Sequence, residues 1–301
     1  SIVGTPSLNE WDPTPLLTYA FIMFYAIMLG DAGYAIGTLL AMKFVLPKIR
    51  LFVDNPYSEG FRKLQKVIYV GSAAGIAVGL LTKNVFGDLL GEHLPWSPVI
   101  NLGDIEAMIK LSLVIGLIWV IIAHTIALAK ALKFKDLWGA IFELSMLVML
   151  IFGPFYVLRH FLRYRIILPE SLVDYIVYGG VAMLIAAKIV QLKAFGALLW
   201  IFDITGAMGD VFSFLRIAGI ASGSTLLISV FNEIIRNSFE ALSGSGILVS
   251  TIVAIPLALL LHLFILITAP IGPFVHSLRL CMYEISSKFL DRKSTRLNSS
   301  H

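Results

Sequence analysis

Apolar stretches long enough to cross a bilayer dominate this chain, and they leave few architectures open to it. They fall near 16–46, 66–87, 107–132, 137–160, 172–193, 205–237 and 247–288, with polar punctuation between them. A helix needs about 20 apolar residues to cross the hydrocarbon core. The residue balance agrees: 58% hydrophobic against 14% charged, which soluble domains do not show. The expected fold class is all-α, a polytopic transmembrane helical bundle of about eight segments. The last two helices exceed the length a perpendicular span requires, so they are expected to be long and tilted. The net charge of +4 is small and spread over loops, which predicts no nucleic-acid surface. A lone cysteine, Cys281, excludes an internal disulfide framework and reads as a small apolar filler.

The first stretch contains Gly30-Asp31-Ala32-Gly33, a polar break. It reads either as one long helix or as a short hairpin of two segments, 16–29 and 34–46. Loop charges favour the hairpin. Lys43, Lys48, Arg50, Arg62, Lys63 and Lys66 cluster in 43–66; Lys130, Lys133 and Lys135 in 130–135; Lys188 and Lys193 near 188–193. The segment 88–106 has Asp88, Glu92, Asp104 and Glu106 and neither Lys nor Arg. Basic loops stay cytoplasmic, so the hairpin places both termini in the cytoplasm. Arg159, Arg163 and Arg165 depart from the rule. Pro154 and Pro256 predict kinks within their spans.

Arg216 lies deep in the apolar run 211–230. A guanidinium at the centre of a membrane helix costs about 2.5–3.5 kcal/mol on insertion scales. A charge kept there has a partner, such as Asp210, Glu143 or Glu233, or a task. Ser213, Arg216, Ile220, Gly223 or Ser224, and Leu227 follow helical spacing, and Gly219 and Gly223 leave room for a partner helix. A second arginine, Arg279, follows His276 by one turn in the last span, on a face with Gly272 and Tyr283. Two arginines in the last two spans point to ion handling rather than to an enzyme pocket. Asp31, Glu143, Asp203 and Asp210 are acids at or near membrane depth, which must be protonated, paired or wet. Asp88 reads as a turn cap, and His124 and His262 as packing residues. There is no phosphate loop, paired-histidine zinc helix, serine elbow or cysteine cluster, so no cofactor, metal site or catalytic site is expected.

These pieces resemble the membrane part of subunit a, or subunit I, of V-type and A-type rotary ATPases. The carrying stretches are Trp11-Asp12-Pro13-Thr14-Pro15, Met28-Leu29-Gly30-Asp31-Ala32-Gly33-Tyr34, Phe86-Gly87-Asp88-Leu89-Leu90-Gly91, Ser213-Phe214-Leu215-Arg216-Ile217, and His276-Ser277-Leu278-Arg279-Leu280 with Ser287-Lys288-Phe289. The family usually has S-Y-L-R-L around the first arginine. Its eukaryotic members carry a histidine where this chain has Ser224 and an acid where it has Ala269.

The resemblance implies a stator that conducts H+ or Na+ through two half-channels against a proteolipid ring, with Arg216 between them and Arg279 supporting it. Asp31, Glu143, Asp210, Ser213, Ser224 and His276 become the candidate half-channel lining. It also implies membrane lipid contact, an archaeal or other prokaryotic plasma membrane, and peripheral stalk subunits bound through a cytoplasmic domain preceding Ser1. ATP chemistry would belong to other subunits. Residues 1–15 then read as the tail of that missing domain and 16–290 as the ion-translocating domain. Residues 291–301 match, residue for residue, the translation of a sequencing-library adapter and are expected to be non-native. Without the resemblance, two other classes stay open: a secondary transporter that binds an anionic substrate through its arginines, and a non-conducting scaffold.

Overall fold

The computed structural model describes residues 14–45, 48, 59–91, 93–160, 163, 169–244 and 246–285. The tail 291–301, the Trp11-Asp12-Pro13 and Ser287-Lys288-Phe289 motifs, Arg50, Glu92 and Arg165 lie outside them. The described residues form eleven α-helices and no strand: α1 Thr14–Leu29, α2 Ala32–Leu40, α3 Glu59–Leu81, α4 Asp88–Gly91, α5 Ile105–Lys133, α6 Leu137–His160, α7 Glu170–Leu192, α8 Gly196–Ser213, α9 Leu215–Ser243, α10 Ile247–Thr268 and α11 Ile271–Arg279. Six helical runs are long and apolar enough to cross a membrane. A further pair, Pro15–Leu29 and Ala32–Val45, is bent by 116° at its break. Counted as one broken span, this pair brings the number to seven, against the about eight segments expected.

Three boundaries differ from the sequence reading. The second span starts at Glu59 and ends at Leu81, so Arg62, Lys63 and Lys66 sit on helix rather than in a loop. All three are exposed, and Lys63 pairs with Glu59 at 3.4 Å. The last two spans are each interrupted, one at Phe214 between α8 and α9, the other between α10 and α11. Pro270 and Pro273 bring no backbone N–H to this second break, which removes rungs from the helical ladder. By contrast, α6 and α10 run through Pro154 and Pro256 without interruption.

The described helices group into two compact units. In the first, built on Leu113–Phe214, α7 packs against both α6 and α8 around Val120, Met146, Leu150, Leu184 and Ala207. Polar side chains inside it come in pairs. His124 Nδ1 meets Glu143 Oε2 at 2.6 Å. Lys188 Nζ lies 2.9 Å from Asp203 Oδ2 and 4.4 Å from the centre of the Phe142 ring. Arg159, the outer-loop exception, is 3.7 Å from Asp174. Removing one member of a largely buried pair strands the other charge. Lys188→Met is therefore expected to destabilise the protein by about 3 kcal/mol. Thermal unfolding in detergent should show the loss, with Lys188→Met/Asp203→Leu recovering much of it.

The second unit comprises Thr14–Ser112 and Leu215–Cys281. Its organising element is α3, which carries Gly71, Gly75 and Gly79 four residues apart and so on one face. A Cβ at Gly71 would sit 2.7 Å from the Tyr25 ring, one at Gly75 3.1 Å from Leu29, and one at Gly79 would strike the backbone of Ala32. Small residues at this spacing let helix backbones meet closely in membranes, and α3 thereby docks on both α1 and α2. Farther along, α9 packs on α10, and α1 packs on α9 and α11.

Candidate ion-translocation site

Arg216 occupies the first turn of α9 and is half-buried. Phe214, 1% exposed, lies against Gly116 of α5, where a Cβ would come within 3.0 Å of the Phe214 Cβ and 2.8 Å of the Val211 carbonyl. Its amide turns back to Val211 O at 3.1 Å and ends α8 at Ser213. The stripe expected to run from Ser213 through Arg216 is therefore divided. Ser213 and Asp210, both half-buried, belong to α8 and the first unit, whereas Arg216 belongs to α9 and the second.

Downstream of Arg216 the stripe is continuous and faces a groove of about 290 Å³. Gly219, Gly223 and Ser224 of α9 line one side; Thr268, Ala269 and Gly272, from α10 to the start of α11, line the other. Nothing lies within 4 Å of where a Cβ at Gly219 or Gly223 would stand. The hydroxyls here are turned to their own backbones: Ser224 Oγ donates to Ile220 O at 2.8 Å, and Thr268 Oγ1 to Phe264 O at 2.9 Å. Ser224 and Ala269, the two positions that depart from the eukaryotic pattern, both line this groove. On α11, Gly272 reaches the groove, His276 is half-buried and Arg279 is exposed.

The other candidates sit elsewhere. Glu143 belongs to the first unit and is bonded to His124. Asp31, in the second unit, is 3% exposed. Its Oδ1 accepts from the amides of Tyr34 at 2.9 Å and Phe86 at 3.1 Å, and its Oδ2 from that of Gly87 at 2.6 Å. The glycine break is thus pinned, with Asp31 as the N-cap of α2. His262, read as a packing residue, is hydrogen-bonded through Nδ1 to Tyr34 Oη at 2.6 Å. Asp88, read as a turn cap, instead accepts from Asn232 Nδ2 at 2.6 Å and lies 3.8 Å from Arg236. Two features escaped the sequence reading although their signals were present: the Gly71, Gly75, Gly79 spacing, and Asn232, a buried amide on α9.

No family model matches the chain. It is 26% identical to the A-type ATP synthase subunit I of Methanocaldococcus jannaschii over 95% of its own length and 44% of that protein's. It is 27% identical to the subunit of the same name from Pyrococcus abyssi over 95% and 42%. For the V-type ATP synthase subunit I of Borreliella burgdorferi the identity is 24% over 94% and 48%. The chain spans less than half the length of each of these relatives. They bear out the resemblance read from the motifs: over about 95% of its length, the homologues of this membrane-type helical chain are the subunit I proteins of A-type and V-type ATP synthases.

Proposed function

We propose that the chain is the membrane stator of a rotary ATPase, passing H+ or Na+ through two half-channels to and from a carboxylate on a ring of separate proteolipid subunits. The observation that carries this reading is the small-residue groove one turn beyond Arg216, with its Gly219–Gly223 side open to an approaching helix. A ring helix seated there would bring its carboxylate toward a guanidinium that stays charged at every working pH. The positive charge favours the ionised carboxylate and drives ion release. It also repels a cation that would pass directly from one half-channel to the other. About 2.3 kcal/mol per charge per 100 mV is available to drive the cycle. Arg279, exposed on α11, supports the same face. Glu143 with its partner His124, Asp210, Ser213, Ser224 and His276 serve as half-channel lining. The part of the relatives' length that this chain does not span is the natural place for peripheral stalk contacts.

Ring dependence tests the proposal. Vesicles holding the complete complex should take up ions on ATP addition, and vesicles holding this chain alone should not conduct. Uptake of an anionic solute by the chain alone would overturn the stator reading in favour of a secondary transporter.

A further inference from the structure

Asp31 has the burial of a proton-path residue but not its freedom. Its three amide partners tie the bend to a neighbouring segment: Tyr34 lies in the first turn of α2, while Phe86 and Gly87 belong to the turn that follows α3. Both carboxylate oxygens are taken up by these backbone N–H groups. To carry a proton Asp31 would have to give up bonds that hold the 116° bend between α1 and α2 in place.

Two arms leave that bend. Along the first, α1, Phe21 meets Phe274 of α11 edge-on with ring centres 5.7 Å apart, Met28 Sδ receives Ser277 Oγ at 4.0 Å, and Ile27 packs on the cluster holding Ala218 and Ala221 of α9. Along the second, α2, Tyr34 packs with Ile228 of α9 and Ile265 of α10 and binds His262 of α10. The turn held by Asp31 is fastened to α9 a second time, because Asn232 Nδ2 donates to Phe86 O at 3.0 Å. Gly87, at φ +68°, leaves no room there for a side chain, since a Cβ would sit 2.6 Å from Ile228.

We propose that Asp31 is a positioning residue: it fixes the angle of a two-armed brace, α1 and α2, which sets α9 against α10 and α11 and so places Arg216 and Arg279. Asn232 and the Tyr34–His262 pair are the points where the brace grips. Asn232 stands about 24 Å along α9 from Arg216, at 1.5 Å rise per residue. Over that length a tilt of a few degrees displaces the guanidinium by about an ångström, enough to cost on the order of 100-fold in a step that depends on placement. The inference rests on the proposed role of the arginines only for its functional consequence; the brace itself is a statement about helix placement.

The test measures placement and transport separately. Spin labels at Leu226→Cys on α9 and Val275→Cys on α11, both exposed sites, in a Cys281→Ala background, report the distance between the two helices in the full chain. Asp31→Asn and Asn232→Leu are then introduced singly. Both should shift or broaden the label distance by an ångström or more, and both should lower ATP-driven uptake by the complete complex at least tenfold. Asn232→Leu removes no titratable group, so its effect cannot come from a lost proton carrier. It also decides the matter alone should Asp31→Asn fail to fold. Unchanged distances in the variants that fold would overturn the brace. So would loss of uptake in Asp31→Asn with wild-type distances and a normal Asn232→Leu, which would make Asp31 a proton carrier. Shifted distances together with normal uptake by an Arg216→Ala complex would uphold the brace and dismiss the arginine reading.

Discussion

Arg216→Ala is expected to lower ATP-driven ion uptake by two to three orders of magnitude while the complex still assembles. The size follows from electrostatics. Two unit charges about 4 Å apart interact by about 4 kcal/mol at the effective dielectric of a partly hydrated protein surface. One pKa unit is worth about 1.4 kcal/mol, so on the proposed stator role losing the guanidinium would raise the pKa of a ring carboxylate by up to about three units and slow ion release in proportion. Arg216→Lys should fall between wild type and alanine. It keeps a positive charge, but one that is a compact point and gives up its proton when desolvated. Uptake in vesicles, read beside ring pull-down, checks both variants. Wild-type uptake by Arg216→Ala would remove the residue from the translocation step. Ring pull-down separates a lost translocation step from a folding defect, and Arg216 is half-buried at a helix start rather than at the centre of a core cluster.

Gly79→Val should have the largest effect on stability. A Cβ at this position would stand 2.7 Å from the Asp31 carbonyl carbon and 2.9 Å from the Ala32 Cα. Those are backbone atoms of the pinned bend, and they cannot turn aside as a side chain can. Overpacking a tight site costs typically 1–3 kcal/mol; with backbone on the opposing side, about 3 kcal/mol or outright failure to fold is expected. Gly153→Ala is the control, since a Cβ there meets nothing within 4 Å. It lies inside α6, where alanine favours helix by up to about 1 kcal/mol over glycine, so it should melt at or above the wild-type temperature. Thermal unfolding of the purified protein in detergent measures both. A Gly79→Val protein that melts with wild type would show that α3 does not rest against the bend.

The sequence alone determined the helical class, the approximate place of every span and the break at Gly30–Gly33. Each is written in local terms: apolar length, a Gly-Asp-Ala-Gly interruption, proline positions. It also singled out Arg216 and Arg279, because an arginine in an apolar run is conspicuous without any knowledge of its neighbours. What it could not decide was the company each polar residue keeps. Glu143 and His124 lie nineteen positions apart and bond across two helices. Tyr34 and His262 are 228 positions apart and do the same, and nothing in either local pattern marks its partner. Asp31 stood out as a candidate channel acid because it interrupts an apolar stretch; only the fold brings the Phe86–Gly87 amides to it. The interruption at Phe214 was likewise invisible, since Phe suits an apolar helix and its place beside Gly116 is set by the fold. Hydrophobic periodicity fixes which residues leave water. Hydrogen bonds and close packing between distant segments fix which of them meet, and those depend on the path of the whole chain.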